Sequence, residues 1–305
     1  MRIGITILPQ DPWPVARRKW GAAEEYGFDG AWTYDHLSWR SLADEPWHGT
    51  VPTLTAAALV TSSIPIGVIV ASPNYRHPVP FAKEIATLDE ISGGRFQLGL
   101  GPGGTGFDAA VLGAAEYSPR ERHDRFAEFV SGLDLLLRHE LPGSGGVSFD
   151  GDWFTAVRAR MVGAPAHHPR VPFVIAANGP KGMRLAAEYG QGWVTTGRDG
   201  AVGEDWWTSV ADLAHRFEDA ALSVGTDPLG PDRYLMIDSG GSYALDSIGR
   251  FDDVVGRAIE LGFTDVITHW PRADGIFAGS EDILDDVAAR LPALHEHGGV
   301  IPKLG

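Results

Sequence analysis

The stretch Phe28-Asp-Gly-Ala-Trp-Thr-Tyr-Asp-His-Leu37 decides how the chain is read. Ala31, Trp32, Thr33 and Tyr34 suit a short buried strand, and Asp35-His36 follow where that strand runs out. In a parallel α/β protein the loops at the carboxyl ends of the strands face a common crevice, and chemistry is held there. An acid beside an imidazole at such an end is a candidate proton-transfer or cofactor-contacting pair. Taken alone, the same dipeptide also reads as a helix cap or a buried, hydrogen-bonded histidine.

Outward from that stretch, strand-like and helix-like segments alternate along the chain. Before it lie a β-rich run from Arg2 to Leu8 and an amphipathic helix from Val15 to Tyr26, closed by Gly27. After it come a helix over 51–62, an almost unbroken apolar strand over 64–72, a helix over 80–92 stopped by Gly93-Gly94, and a strand over 95–101. A long helix follows from Pro119 to Glu140. The rhythm resumes with strands at 173–177, 192–196, 234–238 and 265–269, each followed by a helix, the last predicted over 281–297.

Only residues 141–170 interrupt this order. Pro142-Gly-Ser-Gly-Gly146 reads as a linker, 147–157 as a hairpin around Asp150-Gly151, and 164–172 is rich in Pro and His. The segment is too short to bury a core of its own, so it is an insertion. Eight strands with about eight helices and no break in composition predict one α/β domain over residues 1–305, a (β/α)8 TIM barrel. The alternative is a doubly wound open sheet.

Composition narrows the function. Of 305 residues 44% are apolar, yet no run approaches the roughly 20 needed to cross a bilayer. Met1 to Leu8 is too short for a secretion leader and reads as a strand, so a cytoplasmic, soluble protein is expected. The absence of cysteine excludes disulfides, thiolate metal sites and cysteine nucleophiles. A formal charge of −15 argues against nucleic-acid or anionic-membrane partners and leaves a small-molecule substrate. No His-Glu-x-x-His, Gly-x-Ser-x-Gly or phosphate-loop motif is present, so no metal site is expected. His167-His168 and His295-Glu-His297 read as solvated.

Candidate positions then lie just past each strand: Pro9-Gln10, Asp35-His36, 72–77, the glycine loop 101–106, Asn178-Gly179-Pro180, 196–198, 239–241 and 269–272. Several are small, as a flat ligand lying close to the backbone requires. Asn178-Gly-Pro-Lys181 opens a helix, whose first amides offer a site for a phosphate or other anion, although an ordinary strand-to-helix turn has the same pattern.

Four motifs together carry a resemblance: Gly27-Phe-Asp-Gly-Ala-Trp-Thr-Tyr-Asp-His36, Ile69-Val-Ala-Ser-Pro-Asn-Tyr-Arg-His-Pro78, Ala86 to Gly101, and Ala176-Ala-Asn-Gly-Pro-Lys181 with Gly190-Gln-Gly-Trp193. In this order the chain resembles the bacterial luciferase-like superfamily of barrel oxidoreductases, in the branch that uses the deazaflavin coenzyme F420. The resemblance implies that Asp35 and His36 abut the cofactor ring, with His36 serving proton transfer or substrate orientation. It places Ile69 and Val70 at a bulge with a non-prolyl cis peptide behind the ring. It assigns Ala176, Ala177, Gly179 and Pro180 to the phosphate-bearing tail; Asn178, Gly101 and Gly103 are read as further cofactor-binding candidates. FMN-using members more often carry Glu-His-His at the strand end, which favours the deazaflavin here.

One departure stands out. Sugar-phosphate dehydrogenases of this branch carry a glutamate where this chain has Gly104, which puts that activity in doubt. The resulting expectation is hydride transfer between the deazaflavin and a small organic substrate. Trp32, Trp39 and Trp270 would wall the substrate side and Arg198 would meet an anionic group. The alternatives are a reduced-FMN monooxygenase and a catalytically silent flavin-binding barrel. The family's habit of pairing subunits implies a homodimer.

Overall fold

Eight short parallel strands close on themselves in this chain: β1 (Arg2–Thr6), β2 (Gly30–Thr33), β3 (Ile66–Ala71), β4 (Phe96–Leu100), β7 (Phe173–Ala176), β8 (Gly192–Thr195), β9 (Asp232–Met236) and β10 (Asp265–His269). The computed structural model describes every residue except 105–106, 139–142, 144, 164 and 297–305. β1 pairs with both β2 and β10, so no strand of the barrel is left with an open edge. The missing numbers, β5 (Val147–Asp150) and β6 (Thr155–Ala159), form a separate antiparallel hairpin. That hairpin is the expected insertion, although part of the linker before it lies outside the described residues.

Helices α1 (Trp13–Glu25), α2 (Thr50–Val60), α3 (Pro78–Ser92), α5 (Pro119–Leu137), α6 (Pro180–Tyr189), α7 (Gly203–Ser223) and α8 (Ile248–Glu260) follow the strands, with the single turn α4 (Phe107–Ala110) between β4 and α5. The C-terminal helix expected over 281–297 is instead two short ones, α9 (Ile283–Ala288) and α10 (Leu291–Glu296). Pro292 has no N–H to continue the ladder, which accounts for the break. None of the described helices is long and apolar enough to cross a membrane.

Strand parity sorts the side chains. Successive residues point to opposite sides of the sheet, so Trp32 and Tyr34 face the barrel interior while Ala31, Thr33 and Asp35 face the helices. Inside, Trp32 packs with Ile69, Val174, Val194, Tyr234, Met236 and Ile267. Its indole fits because Gly4, Gly30 and Gly67 present no side chain there; a Cβ at Gly4 would stand 2.9 Å from Trp32 Nε1. Outside, the larger core of helix and strand side chains includes Trp20, Phe96, Phe126, Phe129, Phe173 and Phe217.

Two histidine readings change. His167 is pinned, with its ring Nδ1 2.7 Å from buried Asp89 and its amide donating to the same carboxylate at 2.9 Å. His295 Nε2 lies 2.9 Å from Asp29. Neither is a freely solvated side chain, because each satisfies a carboxylate that also accepts backbone amides.

Candidate active site

At the carboxyl end of the barrel a cavity of about 560 Å³ opens over the interior, within the range of ordinary ligand sites. Its floor and one wall are apolar: Ile69 and Val70 from β3, Ala176 from the end of β7 and Ala177 just past it, Val194 from β8 and Met236 from β9. The other side is aromatic and titratable: Tyr34, His36, Trp39, His269 and Phe277. Arg40, Arg198, Asp199 and Asp238 complete the lining.

Ile69 and Val70 both reach the cavity because the pairing of β3 with β4 slips between Val68 and Ala71. The peptide between them is cis, as the resemblance implied. Gly101 is part of the same construction: a Cβ there would stand 2.5 Å from Val70 Cγ2, so any larger residue drives the Val70 side chain aside. Gly103, at φ +72, holds the left-handed backbone that turns the loop beside Asn74.

His36 lies along the cavity with its side chain about a third exposed. Its Nδ1 bonds to Asp108 on α4, a carboxylate only 6% exposed. The other Asp108 oxygen accepts the Leu37 amide at 2.8 Å. A carboxylate can only accept, so Asp108 holds Nδ1 in its protonated form and leaves Nε2 as the nitrogen available to a ligand. Sequence reading missed Asp108, because nothing local marks an acid 72 residues on as the partner of His36.

A second imidazole faces the same space. His269, at the end of β10, has Nδ1 2.7 Å from Asp238 Oδ2 and Nε2 2.6 Å from the Tyr34 hydroxyl. Asp238 is fixed in turn by the His269 amide at 2.9 Å, the Thr268 hydroxyl at 3.0 Å and the Ala244 amide at 2.8 Å. Phe277 stacks on His269 with ring centres 3.7 Å apart. Burial first, and the nearby Asp238 charge second, push the Tyr34 phenol well above its ordinary value, so it stays protonated.

Other expected residues are placed elsewhere. Asp35 does not line the cavity: parity turns it outward, between the barrel and α2 and α3, beside Leu54, Phe81 and Leu88. It is 1% exposed and held bidentately by Arg76 at 2.7 and 3.1 Å. Trp32 lies deeper in the interior, and Trp270 packs outside the barrel against Tyr26 with its indole donating to Glu281 at 2.8 Å. Trp39 alone of the three lines the cavity, in an aromatic cluster with Tyr34 and Trp47.

Asn178 lines the cavity but spends its side chain on the scaffold, donating to Gly197 O at 2.8 Å and accepting from Thr195 Oγ1 at 2.6 Å. Gly179 and Pro180 stand just outside as the exposed start of α6, with no side chain capping the helix. The first α6 amides are therefore open to an anion. Burial first, and the Lys181 and Arg184 charges after it, lower the neighbouring His123 below its ordinary value. Arg198 reaches the rim, where its guanidinium is 68% exposed and 3.6 Å from Asp212. Among the described residues no cluster of His, Asp and Glu has the arrangement of a metal site.

The comparisons with known proteins agree with this architecture. The chain is 36% identical over 212 residues to the F420-dependent hydroxymycolic acid dehydrogenase of Mycobacterium tuberculosis, covering 68% of this chain and 53% of that protein. It is 33% identical over 327 residues to the F420-dependent glucose-6-phosphate dehydrogenase of Beutenbergia cavernae, covering 89% of this chain and 91% of the other. The solved structure of an F420-dependent secondary alcohol dehydrogenase superposes with a TM-score of 0.77 at 20% identity, covering 96% of this chain and 98% of that one, which is a likeness of fold. The family model described as luciferase-like monooxygenase matches residues 2–227, and with the closed barrel and its carboxyl-end cavity this establishes that the chain belongs to the luciferase-like monooxygenase family.

Proposed function

We propose that the protein is an F420-dependent oxidoreductase that moves a hydride between the deazaflavin and a small organic substrate at the carboxyl end of the barrel. The observation that carries the reading is one cavity in which an apolar floor of Ile69, Val70, Ala176 and Ala177 faces an imidazole, His36, whose partner is a buried carboxylate. That floor suits the face of a planar heterocycle, and Gly101 keeps it open by leaving room for Val70. The uncapped start of α6, Gly179-Pro180-Lys181, suits the anionic tail of the same cofactor. The relatives named for F420 share the family and most of this chain's length.

When bound, the deazaflavin supplies a ring carbon that accepts or donates hydride. The chain's own part is positioning and proton handling. Ile69 and Val70 would support one face of the ring and leave the other to the substrate. His36 presents Nε2 toward the ligand space and holds or releases a proton there. Trp39, Phe277 and Tyr34 exclude water from that side.

Fluorescence titration of the purified protein with F420 and with FMN tests the assignment. Binding of the deazaflavin at micromolar or lower concentration, with FMN at least tenfold weaker, is the expected result. Tight FMN binding with none for the deazaflavin would replace it with the reduced-FMN monooxygenase reading.

A further inference from the structure

The cavity contains more proton-handling machinery than His36. Tyr34, His269 and Asp238 lie in one hydrogen-bonded line, from the cavity surface to a carboxylate whose side chain is 1% exposed. Every member comes from the carboxyl end of a different strand, β2, β10 and β9, so the barrel itself brings them together. We propose that this line is a proton relay which accepts the hydroxyl proton of an alcohol substrate, with Tyr34 Oη as the atom that meets the substrate. The inference rests on the oxidoreductase reading of the cavity and deepens it by naming the substrate class.

Direction follows from the ends of the line. Asp238 accepts three hydrogen bonds, from the Ala244 and His269 amides and the Thr268 hydroxyl, and a carboxylate oxygen can only accept, so its contact with His269 Nδ1 is donated by the ring. His269 therefore carries its proton on Nδ1, and its Nε2 accepts from the Tyr34 hydroxyl at 2.6 Å. With its own proton directed at His269, Tyr34 offers lone pairs to the cavity. It is an acceptor toward the ligand and so matches a group that brings an O–H.

The step balances as follows. The substrate C–H bond breaks and its electron pair leaves as hydride to the bound deazaflavin, while the O–H bond breaks and its pair becomes the second bond of C=O. The proton passes to Tyr34 Oη as the Tyr34 proton passes to His269 Nε2. The relay ends as neutral tyrosine and an imidazolium beside the Asp238 carboxylate, and the reverse step returns the proton to a carbonyl oxygen. Trp39, Phe277 and Ile276 beside Tyr34 give the rest of the substrate an apolar surface, which favours a neutral alcohol over a phosphorylated sugar.

Nitrogen-15 NMR of histidine-labelled protein without cofactor tests the relay independently of turnover. The expected result is a neutral His269 protonated at Nδ1, with an Nε2 resonance that moves downfield in Tyr34→Phe as it loses its donor. A His269 protonated at Nε2 overturns the proposal, since Tyr34 would then receive a proton instead of passing one on. In the loaded protein, with 2-propanol as the probe, Tyr34→Phe and Asp238→Asn should each slow deazaflavin reduction at least a hundredfold, with the coenzyme dissociation constant within threefold of wild type. Reduction by Tyr34→Phe within threefold of wild type overturns the relay and leaves His36 as the sole base. Wild type that binds F420 but does not oxidise 2-propanol overturns the alcohol assignment alone, whereas absence of F420 binding overturns the functional reading beneath it.

Discussion

The imidazole of His36 and the phenol of Tyr34 stand edge to face with ring centres 6.0 Å apart, and each is anchored to a different buried carboxylate. Asp108 holds the first directly and Asp238 holds the second through His269. Two proton-handling groups with separate anchors therefore border one ligand space. Their effects on rate are expected to separate by mutation.

Asp108→Asn tests the first anchor. An amide can turn its NH2 toward His36 and hold the wrong tautomer, so the ring loses its free Nε2 acceptor without leaving its place. Deazaflavin reduction is expected to fall roughly tenfold to a thousandfold, in the range general acid–base groups contribute. F420 affinity should stay within about threefold, read by fluorescence titration. Equal rates in wild type and variant would assign Asp108 to loop structure through the Leu37 amide alone.

Much of this arrangement is legible in the sequence through one rule, the period of two along a strand. Gly30, Trp32, Tyr34 and His36 share a parity, so the stretch that marks the barrel also predicts that Tyr34 and His36 face one side and Asp35 the other. Reading Asp35-His36 as a pair gave weight to adjacency, whereas neighbours in a strand point apart. The same parity separates His269 from Trp270. Asp108 and Asp238 were not legible: each becomes a partner only through tertiary contact between separate elements, across 72 and 31 residues. The Asp89–His167 contact, spanning 78 residues, was hidden for the same reason.

Asp35→Asn should act on stability more than on the cofactor. Arg76 is largely buried and would lose its main counter-charge, keeping only Glu84 at 3.0 Å. Breaking a buried pair by neutralising one partner costs about 3–5 kcal/mol, and roughly 2–3 kcal/mol here because Glu84 and water share the guanidinium. Chemical denaturation is expected to show that loss with F420 binding retained below the unfolding transition. Lost binding at unchanged stability would return Asp35 to the cofactor site.

Gly67→Ala tests the packing inside the barrel. The new methyl would overlap the six-membered ring of Trp32, which is 3% exposed and hemmed in by Gly4 and Gly30 as well. Overpacking of this kind costs about 1–3 kcal/mol. Adding Trp32→Phe should recover part of the loss, and a double variant no more stable than the sum of the two single changes would show that the sites do not couple.

Glu24 gives the stability a pH signature away from the cavity. Its carboxylate, at the end of α1, accepts the amides of Ser62, Ser63 and Ile64 and the Ser63 hydroxyl, joining α1 to the loop before β3. Desolvation pushes the carboxyl upward, but the hydrogen bonds from Ser63, Ile64 and Ser62 outweigh it and bring the group down from 4.5 to about 2. A folded-state value below the unfolded one means that the ionised form is the one stabilised by folding. The contribution is therefore complete above about pH 4.5 and is lost as the pH falls toward about 2. Because the group is partly solvated, Glu24→Gln should cost about 1 kcal/mol at pH 7. Urea midpoints measured from pH 7 to pH 3 should show the wild-type advantage shrinking below about pH 4.5, and an advantage that stays constant across that range would mean the hydrogen bonds do not depend on the charge.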